Sequence, residues 1–418
     1  MSIYNENINM AFEWIVNSGI HFKDSKNNFD AFYESYNKNK KNYSFIYCEI
    51  TGYAINFLLN FYKRKKEKNI LEIAKRAGDF LVFSQGKEGN IKGAIPWTVN
   101  ERGKSHHLYY SFDTSMCLSG LVDLYLITKE KKYLKSAIMA ADWIISKAQD
   151  KDGSFKALYN TRQNSFYNDS SEKIWSGNNG CLHIKHIIGL LKIYEITNHK
   201  KYLKSMNKLL GWSRKMQNRD GSFKAIRDEN FIFTHAHCYA TEGIIFAYKY
   251  FKDEKYIKSI LDSAAWLLKV QNKDGSFFDY YELPNIPMRF IRTKNIIKKM
   301  YHGTIKGESN AIIKIKRTDA TAQAARIMLF AHLLNHNMKY KKAAKKAVTF
   351  LQKMQSNSKN KNERGAVCFS LLDLIGLKRK SILYNSWSSM FAANAMYYMN
   401  RINNKENMGI SNFIDNLF

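Results

Sequence analysis

The chain has 418 residues, with 66 Lys and Arg against 36 Asp and Glu, a formal net charge of +30, and 45% apolar residues. That apolar content suits a folded globular chain and excludes a disordered polyelectrolyte, and no apolar run is long enough to cross a bilayer. The charge suggests a polyanionic partner, yet only 14 of the 66 basic residues are Arg and no zinc-finger or RNP-like string is present, so nucleic acid is not an expected partner.

The opening MSIYNENINMAFEWIV has neither a basic n-region nor a long apolar core, so no signal peptide is visible. Its periodicity predicts a helix over 4–17. Helix pairs are predicted at 48–63 with 68–85, 113–127 with 131–149, 180–196 with 200–217, 236–251 with 254–271, and 319–335 with 339–355, followed by a single helix at 386–400. The second members repeat a Tyr-Leu/Ile-Lys-Ser…Trp pattern, and three of them run into near-copies of one string: AQDKDGSF ending at Phe155, MQNRDGSF at Phe223 and VQNKDGSF at Phe277. Gln149, Gln217 and Gln271 are 68 and then 54 residues apart, so each repeat is two helices plus a substantial loop. Degenerate copies place Gln85 and Gln355 in the same slot. Asp-Gly at a helix end supplies a tight turn, which makes this string a structural device and not a reactive one.

The first helix ends in FEWIVNSG, like the second members of the pairs. It is therefore expected to pair with 386–400, giving six hairpins closed into a ring. The expected fold is all-α, an (α/α)6 toroid forming a single domain over 1–418. Only Pro96, Pro284 and Pro287 interrupt it, all in loops, which argues for an almost wholly helical chain. The loops 86–112, 150–179, 218–235, 272–318 and 356–385 all precede first members and would form one rim. Within the longest, the basic stretch 297–317 reads as a lid, a substrate clamp or a mobile loop. Cys48, Cys117, Cys181, Cys238 and Cys368 are scattered and odd in number, the pattern of reduced, buried thiols in a cytoplasmic protein.

All six first-member helices begin with polar or aromatic residues where a core would take aliphatics: CEITGYAI, SFDTSMCL, NNGCLHIKHIIGLL, THAHCYATEGII, KRTDATAQAARI and NSWSSMFAANA. Glu49 and Tyr53 are four apart. His235, Tyr239 and Glu242 are spaced four and seven, as are Asp319, Gln323 and Arg326, so each set shares a helix face. In a ring these faces converge on one cavity. Asp113, Glu242 and Asp319 are the candidate acid and base carboxylates, with His237 and Tyr239 as proton-transfer groups. Glu49, Tyr53, His183, His235 and Gln323 complete the binding layer, Lys185 and Arg317 are candidate clamps for an anionic group, and Trp175 and Trp387 are candidate sugar-stacking platforms. His235 and His237, two apart on a helix, point in different directions and no third ligand has zinc spacing, so neither a metal nor another cofactor is called for.

The Gln…Asp-Gly-Ser-Phe strings and the six hairpins resemble the alpha/alpha toroids, both six-hairpin glycosidases and the terpenoid cyclase and prenyltransferase class. The strings CEITGYAI, FDTSMCLSGL, HIKHIIGLL, THAHCYATEGI and RTDATAQAARI are similar to those of six-hairpin-glycosidase-like proteins that accompany polysaccharide biosynthesis. The resemblance implies a carbohydrate-related role, with Glu49, Asp113, Lys185, His237, Glu242, Arg317 and Asp319 as matching polar positions. The acidic strings of terpenoid cyclases and the zinc ligands of prenyltransferases have no counterpart here. The expected activity is therefore a glycoside hydrolase, lyase or uronyl epimerase acting on an oligo- or polysaccharide, neutral or anionic. The alternatives are an isoprenoid-handling toroid, which needs an apolar cavity, and a non-catalytic glycan-binding protein.

Overall fold

The computed structural model describes residues 3–167, 177–226, 231–282, 314–374, 377–404, 409–415 and 417. Trp175 and residues 297–313 of the basic stretch lie outside the described residues.

The inner helices are α2 (Cys48–Lys65), α4 (Ser111–Thr128), α6 (His186–Thr197, entered through a 3-10 turn at Cys181–Lys185), α8 (Thr234–Phe251), α10 (Thr318–Asn335) and α12 (Ser386–Asn403). Each packs on the next, and α12 returns to α2, so the ring closes. Outside them lie α3 (Lys68–Ser84), α5 (Lys131–Trp143, extended by a π turn), α7 (Lys200–Ser213), α9 (Glu254–Val270), α11 (Met338–Met354) and α1 (Ile3–Asn17). The chain's first helix pairs with its last inner one, as the FEWIVNSG ending predicts.

Inner and outer members are joined by two residues. The first of each pair, Lys66, Lys129, Asn198, Lys252 and His336, adopts left-handed dihedrals and donates its N–H to the preceding turn, which ends one helix and starts the next antiparallel to it. The return connections are long and all leave on the opposite side, forming the rim. The frame is helical as expected, and the loops add elements that the helical periodicity does not announce. The rim carries short antiparallel strands, including a sheet ordered Phe277–Phe278, Lys314–Arg317, Ser370–Leu374 and Leu377–Lys380. Rim backbone has to find hydrogen-bond partners, and pairing neighbouring loops supplies them.

The repeated Gln is a seam. Gln217 Nε2 donates to Gly221 O at 3.1 Å and to Ser259 O of the next outer helix at 3.0 Å, and Ser259 Oγ donates back to Gln217 Oε1 at 2.6 Å. Gln85 reaches Ser136, Gln149 Ser205, Gln271 Ala343 and Gln355 Asn7 in the same way. The turn glycine is required twice over, since Gly221 has φ +90 and a Cβ there would stand 2.1 Å from Asp262 O.

The other end of the ring is covered by a short helix, α13 (Ile410–Asp415), which no sequence signal announced. Phe413, fully buried, stacks on Tyr398 and meets Phe330, and Asp415 pairs with Lys249 at 2.7 Å. All five cysteines are free and buried, and no helix among the described residues is long and apolar enough to cross a membrane.

Candidate functional site

Counting from the first residue of each inner helix sorts the side chains into layers. The fourth residue looks outward. Thr51, Thr114, Thr321 and Ser389 each accept, through the hydroxyl, the N–H of a residue in the neighbouring return connection: Phe32, Ile95, Phe277 and Val367 respectively. His237 occupies this slot in α8. Its Nδ1 accepts from Phe223 N at 3.0 Å and its Nε2 lies 2.9 Å from Ser263 Oγ, beneath Trp266. The structure thus puts His237 in the wall between the helix layers, where burial pulls its pKa down to about 3, and not among the cavity groups. His183 is likewise walled in, its Nδ1 accepting from Gly180 N and its ring packed on His186 and near Phe155.

The second or third, sixth and ninth residues face inward. Glu49 of α2 and Asp113 of α4 meet at the seam between their helices, 7% and 3% exposed, with the two carboxyls in hydrogen-bonding reach of one another. The Tyr47 and Tyr53 hydroxyls lie within reach of Glu49, and Tyr47 also of Asp113. Burial, reinforced by the adjacent Glu49 charge, pushes Asp113 well above the usual carboxylate range; burial raises Glu49 as well. Two carboxyls so placed resist giving up both protons, because the second charge would face the first across a buried seam.

Deeper in, Tyr53 Oη donates to Tyr239 Oη at 3.1 Å, and Lys185 Nζ sits 3.4 Å from Tyr53 Oη, 4.1 Å above the Tyr239 ring and 2.8 Å from Glu242 Oε2. Arg326 Nη2 holds Glu242 Oε1 at 2.6 Å, Gln323 Nε2 adds a contact at 3.3 Å, and Arg326 Nη1 reaches Leu417 O below. Burial raises Glu242, but Lys185 and Arg326 outweigh it and keep the carboxylate ionised. Burial also draws Lys185 down to about 8.

On the opposite wall, Arg317, the N-cap residue of α10, bonds both oxygens of Asp319 at 2.9 and 2.5 Å and Asp279 at 3.1 Å. Trp387 Nε1 donates to Asp319 Oδ2 at 2.9 Å, so the indole expected to stack on sugar is also a carboxylate holder. These partners overcome burial and keep Asp319 well below the carboxylate range. His235 Nδ1 stands 3.7 Å from Asp319 Oδ2, with its ring 4.2 Å from that of Tyr239, and burial lowers it to about 4, leaving an uncharged imidazole near neutral pH.

Of the expected residues, then, the ring gathers Glu49, Tyr53, Asp113, Lys185, His235, Tyr239, Glu242, Arg317, Asp319, Gln323 and Trp387, and sets His183 and His237 apart. Sequence reading passed over Tyr47, at the N-cap position just before α2, and Asp279, a loop acid with no pattern around it. Arg326 carried a signal in its spacing to Asp319. The polar lining argues against an isoprenoid pocket. Among the described residues no group of three His, Cys, Asp or Glu side chains could hold a metal ion.

The sequence profile of glycosyl hydrolase family 76 matches residues 2–243. A search of curated protein sequences found no match. Among solved structures, the chain is similar to the cellobiose 2-epimerase of Bacillus thermoamylovorans (TM-score 0.70, 14% identity, covering 95% of this chain and 100% of that one). It is similar also to a sugar epimerase from a ruminal bacterium (0.71, 12%, 94% and 98%) and to the unsaturated glucuronyl hydrolase of Streptococcus agalactiae (0.62, 16%, 95% and 92%). At these identities the likeness shows the (α/α)6 toroid fold.

Proposed function

The chain belongs to glycosyl hydrolase family 76, and from that premise we propose that it hydrolyses an uncharged oligo- or polysaccharide, with the Glu49–Asp113 pair as its acid catalyst. The observation that carries this reading is the buried carboxyl pair itself, in which burial and the adjacent Glu49 push Asp113 well above the usual carboxylate range. Glycoside hydrolysis needs a proton for the leaving oxygen and a negative charge facing the developing oxocarbenium centre. Asp113 supplies the proton. Asp319, ionised on the inner helix opposite α4 in the ring, supplies the charge. The C–O bond breaks as Asp113 protonates the leaving oxygen; water adds to the anomeric carbon, and uncharged His235 takes its proton. Solvent returns that proton to the carboxyl pair.

The charge pattern favours a neutral sugar. Lys185 and Arg326 are paired with Glu242, and Arg317 with Asp319 and Asp279. Clamping a uronate would break a buried ion pair, which is costly. Lys185 and Arg317 then act as holders of the site's carboxylates.

The test is mass spectrometry of mannose-, glucose- and xylose-configured oligosaccharides, alongside uronate-containing ones, incubated with the protein. Chain shortening is expected, with Asp113→Asn and Glu49→Gln slowing it by about 10²–10⁴-fold. Undiminished turnover in either variant, or cleavage confined to uronate oligosaccharides, overturns the proposal. A second reading draws on His235, an uncharged imidazole beside a carboxylate, which suits proton abstraction next to a reducing-end carbonyl. Deuterium uptake from solvent at the reducing sugar without chain shortening would favour that epimerase chemistry.

A further inference from the structure

Outside the carboxyl pair, the rim of α2 and α4 carries a cluster of aromatic side chains around Trp97. Phe45 is 37% exposed, and Tyr47, Trp97, His106 and Tyr110 are half-buried. Trp97 is the centre. Phe45, Tyr47, His106 and Tyr110 surround it with ring centroids at 5.2, 6.5, 5.2 and 6.2 Å, and every one meets it edge-on, at interplanar angles of 62 to 88°. None stacks face to face on the indole.

The patch is fixed in place. Residues Ile46–Tyr47 pair with Thr98–Val99 as a short antiparallel ladder, Trp97 O accepts the N–H of Cys48 at the start of α2, and Trp97 N donates to Leu108 O. It is also continuous with the chemistry. Tyr47 and Tyr110 are the N-cap residues of α2 and α4, two and three residues before Glu49 and Asp113, and Tyr47 lies near both carboxyls. His106 Nδ1 is buried with no hydrogen-bond partner among the described residues. The five side chains bear no carboxylate, ammonium or guanidinium group.

We infer that Phe45, Tyr47, Trp97, His106 and Tyr110 form a stacking subsite for an uncharged pyranose ring next to the Glu49–Asp113 pair. A pyranose offers a face of C–H groups to an aromatic plane and a perimeter of hydroxyls to polar edges. The Trp97 indole and the phenyl plane of Phe45, exposed at the rim, answer the first. The place beside the proton donor makes this the position of the sugar unit adjoining the scissile bond. The inference rests on the saccharide-hydrolase reading above and is testable apart from it.

The probe is the same panel of neutral oligosaccharides, two to six units long, with binding followed by calorimetry on the acid-disabled Asp113→Asn protein and turnover followed on the otherwise unaltered chain. Trp97→Ala and the surface variant Phe45→Ala are expected to weaken binding about tenfold or more, and Trp97→Phe to restore most of it. In turnover, the loss should fall on KM for longer oligomers more than on kcat. Binding by Asp113→Asn that Trp97→Ala leaves unchanged overturns the subsite, whatever the chemistry proves to be, and so does failure of the parent protein to bind any member of the panel. Binding that depends on Trp97 with no product formed would uphold the subsite while removing the hydrolase reading.

Discussion

Asp113 and Asp319 are two buried acids of one cavity whose pKa values are driven in opposite directions, and the cause is their company. Asp319 is bonded by a guanidinium and an indole N–H, whereas Asp113 has another carboxyl for its nearest ionisable neighbour. This has a stability consequence whose sign is fixed. An acid whose folded-state pKa is raised binds more protons in the folded than in the unfolded chain, so it lowers stability as pH rises above the unfolded value of about 4. Asp113→Asn removes that cost. We expect the variant to be more stable than its parent near pH 7, with the advantage shrinking as pH falls toward 4, in denaturant titrations at several pH values. An advantage independent of pH would mean that Asp113 is ionised in the folded protein. The same acid sets the activity limb: turnover should fall as pH rises through the titration of the pair, because the leaving oxygen then has no proton donor.

At the scale of elements, the helix starts carry two messages written in one register. Inward positions hold the chemistry, and the fourth position holds a hydroxyl that ties the helix to the neighbouring return connection. His237 reads as catalytic when α8 is taken alone. Aligned with Thr51, Thr114, Thr321 and Ser389 it reads as an acceptor of a backbone N–H, and that comparison was available in the sequence. We expect His237→Thr to retain kcat/KM within a few-fold while costing stability by about 1–3 kcal/mol, since Phe223 N and Ser263 lose part of their pairing. A hundredfold loss of turnover in a folded variant would return His237 to the chemistry. Gln217→Leu should likewise destabilise by about 1–3 kcal/mol without altering kcat/KM, because it removes the two hydrogen bonds that Gln217 donates and the one that it accepts from Ser259. Such a seam, repeated at five boundaries between outer helices, accounts for the prominence of the Gln…Asp-Gly string in a chain whose chemistry lies elsewhere.

Across the whole molecule, the ring needs closing at its far end as well as around its circumference. The C-terminal segment does this, placing Phe413 between Tyr398 and Phe330 and Leu417 O under Arg326. Phe413→Ala should cost about 3–5 kcal/mol by the cavity it opens, measured by chemical denaturation. A cost under about 1 kcal/mol would show that the segment only rests on the ring. The six hairpins, their order, the closing pair and the layer of helix starts are legible in the chain, because helical periodicity and a repeated turn string are local signals that each repeat states again. Which polar residues are partners is legible in the folded ring alone. Glu49 and Asp113 are 64 residues apart, Lys185 and Glu242 57, and Asp279 and Arg317 38. Proximity across a ring is set by how neighbouring helices pack, and each carboxyl keeps or loses its proton according to the charge that this packing brings beside it.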